Sequence, residues 1–223
     1  KGNSITTVRF DGGTKEREML LVALNCQNLT ELHASSLNVS YAYREVLLRN
    51  PNIRKIWCSD VKCSESDIFA GVSLHKLQTI EVYGANCLEG FPWHASAHSD
   101  SLHTAVWNDC SFSSSSLTAM IKNCPRLRSF SADYVDSEYD DCFLPGNGLQ
   151  KLSICNNQLI NDADLLSIVT SLTSLRVLNI QYCTALTDLS LQHISENVGD
   201  RLEELYVDDA ADIVEEMPAN VVK

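Results

Sequence analysis

One phrase recurs along the whole chain: an apolar residue, two variable ones, an apolar, a variable one and an apolar. It begins at Ile5, Leu29, Ile53, Leu77, Leu102, Leu127, Leu149, Leu175 and Leu202. Successive starts lie 24, 24, 24, 25, 25, 22, 26 and 27 residues apart, a spacing too regular for chance. A period of this length marks a stack of structural repeats rather than a single packed unit.

The phrase describes a short strand whose alternate residues point inward, followed by a return segment that carries the chain back one layer further on. No unit covers its own apolar edge. Stacking pairs each strand with its neighbours in a parallel sheet, and burying each leucine or isoleucine contributes about 1.5–3 kcal/mol. Return helices are predicted at Tyr43 to Arg49, ahead of Asn50-Pro51-Asn52, at Leu117 to Ile121, ahead of Asn123-Cys124-Pro125, and at Leu165 to Val169. Asp162 and Asp188 stand just before apolar periodic stretches, where a short acidic side chain caps a first turn. From Cys87 to Asp100, and again from Asp133 to Gly148, no helical period holds, and irregular segments are expected. The expected shape is an α/β right-handed solenoid, a horseshoe with parallel strands on the concave face and helices or irregular segments on the convex face. It forms one domain of about nine repeats over residues 1–223.

Composition narrows the partners. Seventeen Lys and Arg against twenty-nine Asp and Glu leave a net charge of −12, which repels nucleic acid and anionic lipid. The longest apolar run, Met19 to Leu24, is far short of the roughly 20 residues of a spanning helix, and the N-terminus lacks a signal peptide's pattern, so no membrane insertion is expected. Nine cysteines are scattered without any C-x-x-C pair. They read as small packed residues in a reducing compartment, and the location expected is intracellular, in the cytoplasm.

The stretch Asn123-Cys124-Pro125-Arg126-Leu127 and the run from Leu175 through Cys183 to Thr187-Asp188 resemble the cysteine-containing leucine-rich repeat. In that unit a Cys-Pro-x-Leu entry leads to a strand ending in Cys and then a Thr-Asp helix start. Cys26 and Cys110 occupy the matching entry and strand-end positions. The resemblance covers essentially the whole chain. It implies a non-catalytic protein–protein interaction module without a cofactor. For the F-box-associated subtype it implies the substrate-recognition arm of a ubiquitin ligase, with ligase subunits held through a region outside this chain. The same subtype serves as a scaffold subunit in cytoskeletal or organellar assemblies, which is the alternative role.

With the first apolar residue of each phrase as position one, positions three, five and seven project to the concave side. Position five reads Arg9, His33, Trp57, Glu81, Val106, Ser131, Ser153, Asn179 and Tyr206. The neighbouring positions add Lys55, Ser59, Thr79, Tyr83, Asn108, Asp133, Lys151, Gln181 and Asp208. The candidate partner-binding residues are His33, Lys55, Trp57, Glu81, Tyr83, Asn108 and Tyr206. Trp57 and Tyr83 on adjacent strands are the residue types that dominate interfaces. The competing reading makes Trp57 a core residue, through a one-residue shift in phase or cover by Phe91 and Trp93. Trp107 falls at an inward position and is expected in the core. The acidic end, with Asp208, Asp209, Asp212, Glu215 and Glu216, reads as a solvated cap.

Catalytic signatures are missing from the sequence: it has no Gly-x-Ser-x-Gly, no phosphate loop and no dinucleotide fingerprint. Asp140-Asp141 reads as a solvated acidic loop. His94-x3-His98, with Asp100 and His103 nearby, has metal-ligand residue types, but Pro92 and the small residues around it make exposed loop histidines the expected state. No metal is expected, and an enzyme is the least supported class.

Overall fold

The computed structural model describes residues 4–36, 38–39, 41–60, 62–63, 72–84, 100–110, 121, 123–135 and 148–207. Nine of its strands form one sheet. They are β1 (Thr7–Phe10), β2 (Glu31–Ser35), β4 (Lys55–Ser59), β6 (Thr79–Tyr83), β7 (Thr104–Asn108), β8 (Ser129–Ser131), β9 (Lys151–Ser153), β10 (Val177–Asn179) and β11 (Glu204–Tyr206). The sheet order follows the chain, every pair is parallel, and each of the nine phrases supplies one strand. Two further short strands, β3 (Asn38–Val39) and β5 (Lys62–Cys63), pair with each other.

Register follows the phrase without a slip. Position five runs across the sheet as Arg9, His33, Trp57, Glu81, Val106, Ser131, Ser153, Asn179 and Tyr206. Position four runs behind it, with Leu32, Ile56, Ile80, Ala105, Phe130, Leu152, Leu178 and Leu205 stacked in the core. This is the leucine-rich repeat solenoid, with strand residues alternating between the core and the concave face. Ile5 departs from its eight counterparts. It is exposed because β1 is the edge strand of the sheet and no described strand lies beyond it.

Among the described residues, the helices α1 (Glu16–Asn25), α2 (Tyr41–Arg49), α3 (Asp162–Ser171) and α4 (Asp188–Val198) stand behind the sheet. The helix expected at Leu117 to Ile121 lies outside the described residues except for Ile121. The irregular segments expected at 87–100 and 133–148 are likewise described only at their ends.

The caps differ from the sequence expectation by one residue. Asn161, not Asp162, caps α3: its Oδ1 accepts the Ala163 and Asp164 N–H groups at 2.9 and 3.2 Å, and Asp164 answers by accepting the Asn161 N–H at 2.9 Å. Thr187, not Asp188, caps α4, accepting the Leu189 N–H at 3.3 Å. Either oxygen-bearing residue of each pair suits a cap. The earlier one takes it because it is the residue with extended backbone, and the following aspartate enters the first turn, where its charge faces the helix N-terminus.

Entry into each strand is a tight turn. Asn50 C=O accepts from Ile53 N–H at 3.2 Å, and Cys124 C=O from Leu127 N–H at 3.0 Å. Pro51 and Pro125 stand second in these turns, where a fixed φ is an advantage. Asn50 is fully buried. It accepts the Leu29 N–H of the preceding unit at 3.0 Å and donates to Val46 C=O at 2.8 Å.

At position nine, side chains reach back one unit. Cys110 Sγ donates to Val82 C=O at 3.6 Å, Cys183 Sγ to Ile154 C=O at 3.1 Å and Asn157 Nδ2 to Val135 C=O at 2.7 Å. The six described buried cysteines, Cys26, Cys58, Cys110, Cys124, Cys155 and Cys183, form no disulfide with one another.

The strands end at position eight in a left-handed residue: Ser36, Asp60, Gly84, Asp109, Tyr134, Asn156 and Tyr182. Successive members are tied across the sheet. Asp60 N–H donates to Tyr83 C=O at 2.8 Å, Gly84 N–H to Asn108 C=O at 2.9 Å, Asp109 N–H to Asp133 C=O at 2.9 Å and Asn156 N–H to Gln181 C=O at 2.7 Å. A Cβ at Gly84 would lie 3.1 Å from Asp60 Oδ1, so glycine suits both the backbone and the space there.

Candidate functional site

The concave face offers three separate groups of side chains. The first is an aromatic ladder on β2, β4 and β6. The His33 and Trp57 ring centroids lie 6.0 Å apart at 35°, and those of Trp57 and Tyr83 lie 6.1 Å apart at 43°. All three rings are half-buried, between a sheet that holds their backbones and the solvent on the concave side. Trp57 is therefore on the concave face and not in the core, while Trp107 points inward and is buried. Phe91 and Trp93, the residues that could cover Trp57, lie outside the described residues.

Charges flank the ladder in pairs. Lys55 Nζ, at position three of β4, donates to Glu81 Oε1, at position five of β6, at 2.7 Å. His33 Nε2 is shielded from water and has no hydrogen-bond partner among the described residues, and Glu31 Oε2 is 3.7 Å away. Burial, with the Glu81 carboxylate beside it, pushes the Tyr83 phenol above its ordinary value, so this hydroxyl stays protonated at neutral pH. The ladder thus presents aromatic surface, a phenolic donor and compensated charges.

A polar hub fills the middle of the face. Asn108 Nδ2 donates to Asp133 Oδ2 at 3.3 Å, and the Asp133 N–H donates to Asn108 Oδ1 at 3.2 Å. Ser131 Oγ lies 2.9 Å from Asn108 Oδ1 and 3.0 Å from Asp133 Oδ2. Ser153 Oγ and the Cys155 N–H donate to Asp133 Oδ1 at 2.5 and 3.0 Å. Asn108 is therefore part of a network that fixes the surface, not an open hydrogen-bonding arm. Asp133, Ser131 and Ser153 fall at concave positions in the sequence, but only the structure shows that they converge.

Tyr206 stands apart. It lies on the ninth strand, six strands from Trp57 and on the order of 29 Å away at the usual strand spacing. Its hydroxyl donates to Glu204 Oε2 at 2.6 Å. His33, Lys55, Trp57, Glu81 and Tyr83 are brought together, and Asn108 and Tyr206 are not part of that group. Asp208 and the acidic residues after it, Asp140-Asp141, and the His94–His98 pair lie outside the described residues. Among the described residues, no three His, Cys, Asp or Glu side chains gather in a group able to hold a metal, and no helix is long and apolar enough to cross a membrane.

No family model and no curated protein matches the chain. Solved structures do. A chain of the yeast Rad7 and Elc1 complex is similar over 98% of this chain and 54% of its own length, with a TM-score of 0.57 and 16% identity. The leucine-rich repeat domain of APL1B is similar over 90% of this chain and 58% of its own length, with a TM-score of 0.52 and 16% identity. The chain thus spans a little over half the length of each of these two neighbours, and what it shares with them is the leucine-rich repeat fold.

Proposed function

We propose that this chain is a non-catalytic protein-interaction module whose concave face grips a partner at Trp57 and Tyr83. The observation that carries the reading is the ladder of His33, Trp57 and Tyr83, half-exposed on three adjacent strands. Rings already held by a sheet lose little freedom on binding, and truncating such an anchor costs about 2 kcal/mol or more. The finer reading is the substrate-recognition arm of an F-box-type ubiquitin ligase, with ligase subunits held by a region outside this chain. It is supported by the cysteine-containing units around Cys110 and Cys183 and by a fold neighbour solved as a two-protein complex. An intracellular setting, in the cytoplasm, fits the buried cysteines that form no disulfide with one another.

One observation favours the scaffold reading. Leu20, Leu21 and Leu24 are exposed on α1, away from the concave face, and offer apolar surface for a stable neighbour. Affinity purification of the full-length product beside a Trp57→Ala/Tyr83→Ala double mutant separates the two. Ligase subunits with both proteins, and a client lost only from the mutant, support the recognition arm. An unchanged stoichiometric complex without ligase subunits supports the scaffold and removes the aromatic ladder as the site.

A further inference from the structure

Two members of the left-handed column break its chemistry. Ser36, Asp60, Asp109 and Asn156 are small polar residues, and Gly84 has no Cβ, which is what a positive φ favours. Tyr134 and Tyr182 hold φ 59° each, with a bulky side chain that gains nothing from that backbone. Core packing does not account for them, since they are 58% and 55% exposed. Their backbones are nevertheless fixed. The Tyr134 N–H donates to Cys155 C=O at 2.9 Å, and Tyr182 C=O accepts from Gln158 Nε2 at 3.2 Å. Gln158 Nε2 also lies 3.1 Å from the Oδ1 of Asn156, the residue between the two tyrosines. Two strand spacings put the tyrosine backbones about 10 Å apart on a rigid edge.

The charge of that edge has one sign. Among the described residues at positions seven and eight, Asp11, Asp60, Asp109 and Asp133 carry charge, and no Lys, Arg or His occurs in either column. Asp109 stands next to Tyr134 in the column. Aromatic faces beside a carboxylate complement a cationic side chain.

We propose that the carboxyl edge of the sheet, at Tyr134, Asn156 and Tyr182, docks an arginine- or lysine-bearing segment of a partner protein. Its cationic side chains stack on the two tyrosine rings, and Asp109 supplies the countercharge. This surface is distinct from the aromatic ladder at Trp57 and does not depend on it.

The test is fluorescence anisotropy of a labelled peptide of alternating arginine and glycine titrated with the whole chain, at about 0.15 M salt, where distant charges are screened. The main variant is Tyr134→Asn/Tyr182→Asn, which removes both rings without changing net charge and installs the residue found at position 156. A Tyr134→Gly/Tyr182→Gly variant serves if the first folds poorly. The expected result is binding weakened about tenfold, with the thermal midpoint unchanged or raised. Trp57→Ala/Tyr83→Ala should bind the peptide as the native chain does, and Glu16→Gln/Glu196→Gln, which removes two distant charges, should change binding less than twofold. The proposal is overturned if the native chain fails to bind, if the ringless protein binds as tightly as the native one, or if the distant charge variant weakens binding as much.

Discussion

Asp162, the first residue of α3, holds Thr187, the cap of α4, with both carboxylate oxygens. The Thr187 N–H donates to Oδ1 at 2.9 Å and its hydroxyl to Oδ2 at 2.6 Å, and the Ser190 hydroxyl adds a third bond. Burial opposes the charged form, but the bonds from Ser190 and Thr187 outweigh it, and the carboxyl titrates below its ordinary 3.8. The contact's stabilisation is therefore present above about pH 4 and lost as pH falls through the lowered value. Asp162→Ala should cost about 1 kcal/mol at neutral pH. In urea denaturation, the gap between mutant and native protein should narrow as pH falls from about 4 through the lowered value, and a gap that does not narrow would show that charge is not involved.

Burial pushes the Cys58 thiol up to about 11 and the Cys124 thiol to about 12, and raises the Tyr43 phenol well above 10. Both thiols are neutral at physiological pH and should resist an aromatic disulfide reagent until urea unfolds the chain. Raised values stabilise the fold fully below the unfolded thiol value near 9, and that contribution disappears as pH climbs through the folded values. The urea midpoint should fall between about pH 9 and 12. Cys58→Ala should flatten the early part of that decline, and an unaltered decline would assign it to other groups.

Asn50 joins two units by accepting from Leu29 N–H and donating to Val46 C=O from a fully buried position. Asn50→Ala leaves both backbone groups without that partner and should cost about 2–3 kcal/mol. Asn50→Asp should cost more, because a carboxylate would face the Val46 carbonyl oxygen. Hydrogen exchange at the Leu29 amide should accelerate in both variants, and an unchanged rate would mean that another acceptor replaces the side chain.

Trp57 and Phe130 lie on opposite faces of the same sheet. Phe130 is buried in the position-four stack, whereas Trp57 is half-exposed on the other face of the sheet. Phe130→Ala should cost about 3–5 kcal/mol, and Trp57→Ala on the order of 1 kcal/mol with native-like circular dichroism. A loss at Trp57 equal to that at Phe130 would show that Trp57 serves the core.

The sheet was legible because its signal is periodic. The strict alternation around Leu32, Ile56 and Ile80 places Trp57 outward and Trp107 inward with one choice of phase, and the observed register keeps it. Caps were legible only to within one residue, since Asn161-Asp162 and Thr187-Asp188 each offer two oxygen-bearing side chains and the backbone decides between them. Convergence was not legible. Asp133 collects donors from three neighbouring strand ends whose side-chain directions no spacing specifies. The signal for Tyr134 and Tyr182 was present but lay in a column outside the apolar phrase, where they stand among Ser36, Asp60, Gly84, Asp109 and Asn156.

Because the nine-stranded sheet follows chain order, each of its strands is bonded only to the strands of the preceding and following repeats. Among the described residues, no strand returns to pair with an earlier part of the sheet. Pulled by its two ends, such a chain has no single clamp to break, and it pays out like a folded ribbon. Each released unit of 24 residues adds up to about 80 Å of contour length. An arrangement in which every strand holds only its neighbours should make the stack compliant under load, extending in near-equal increments.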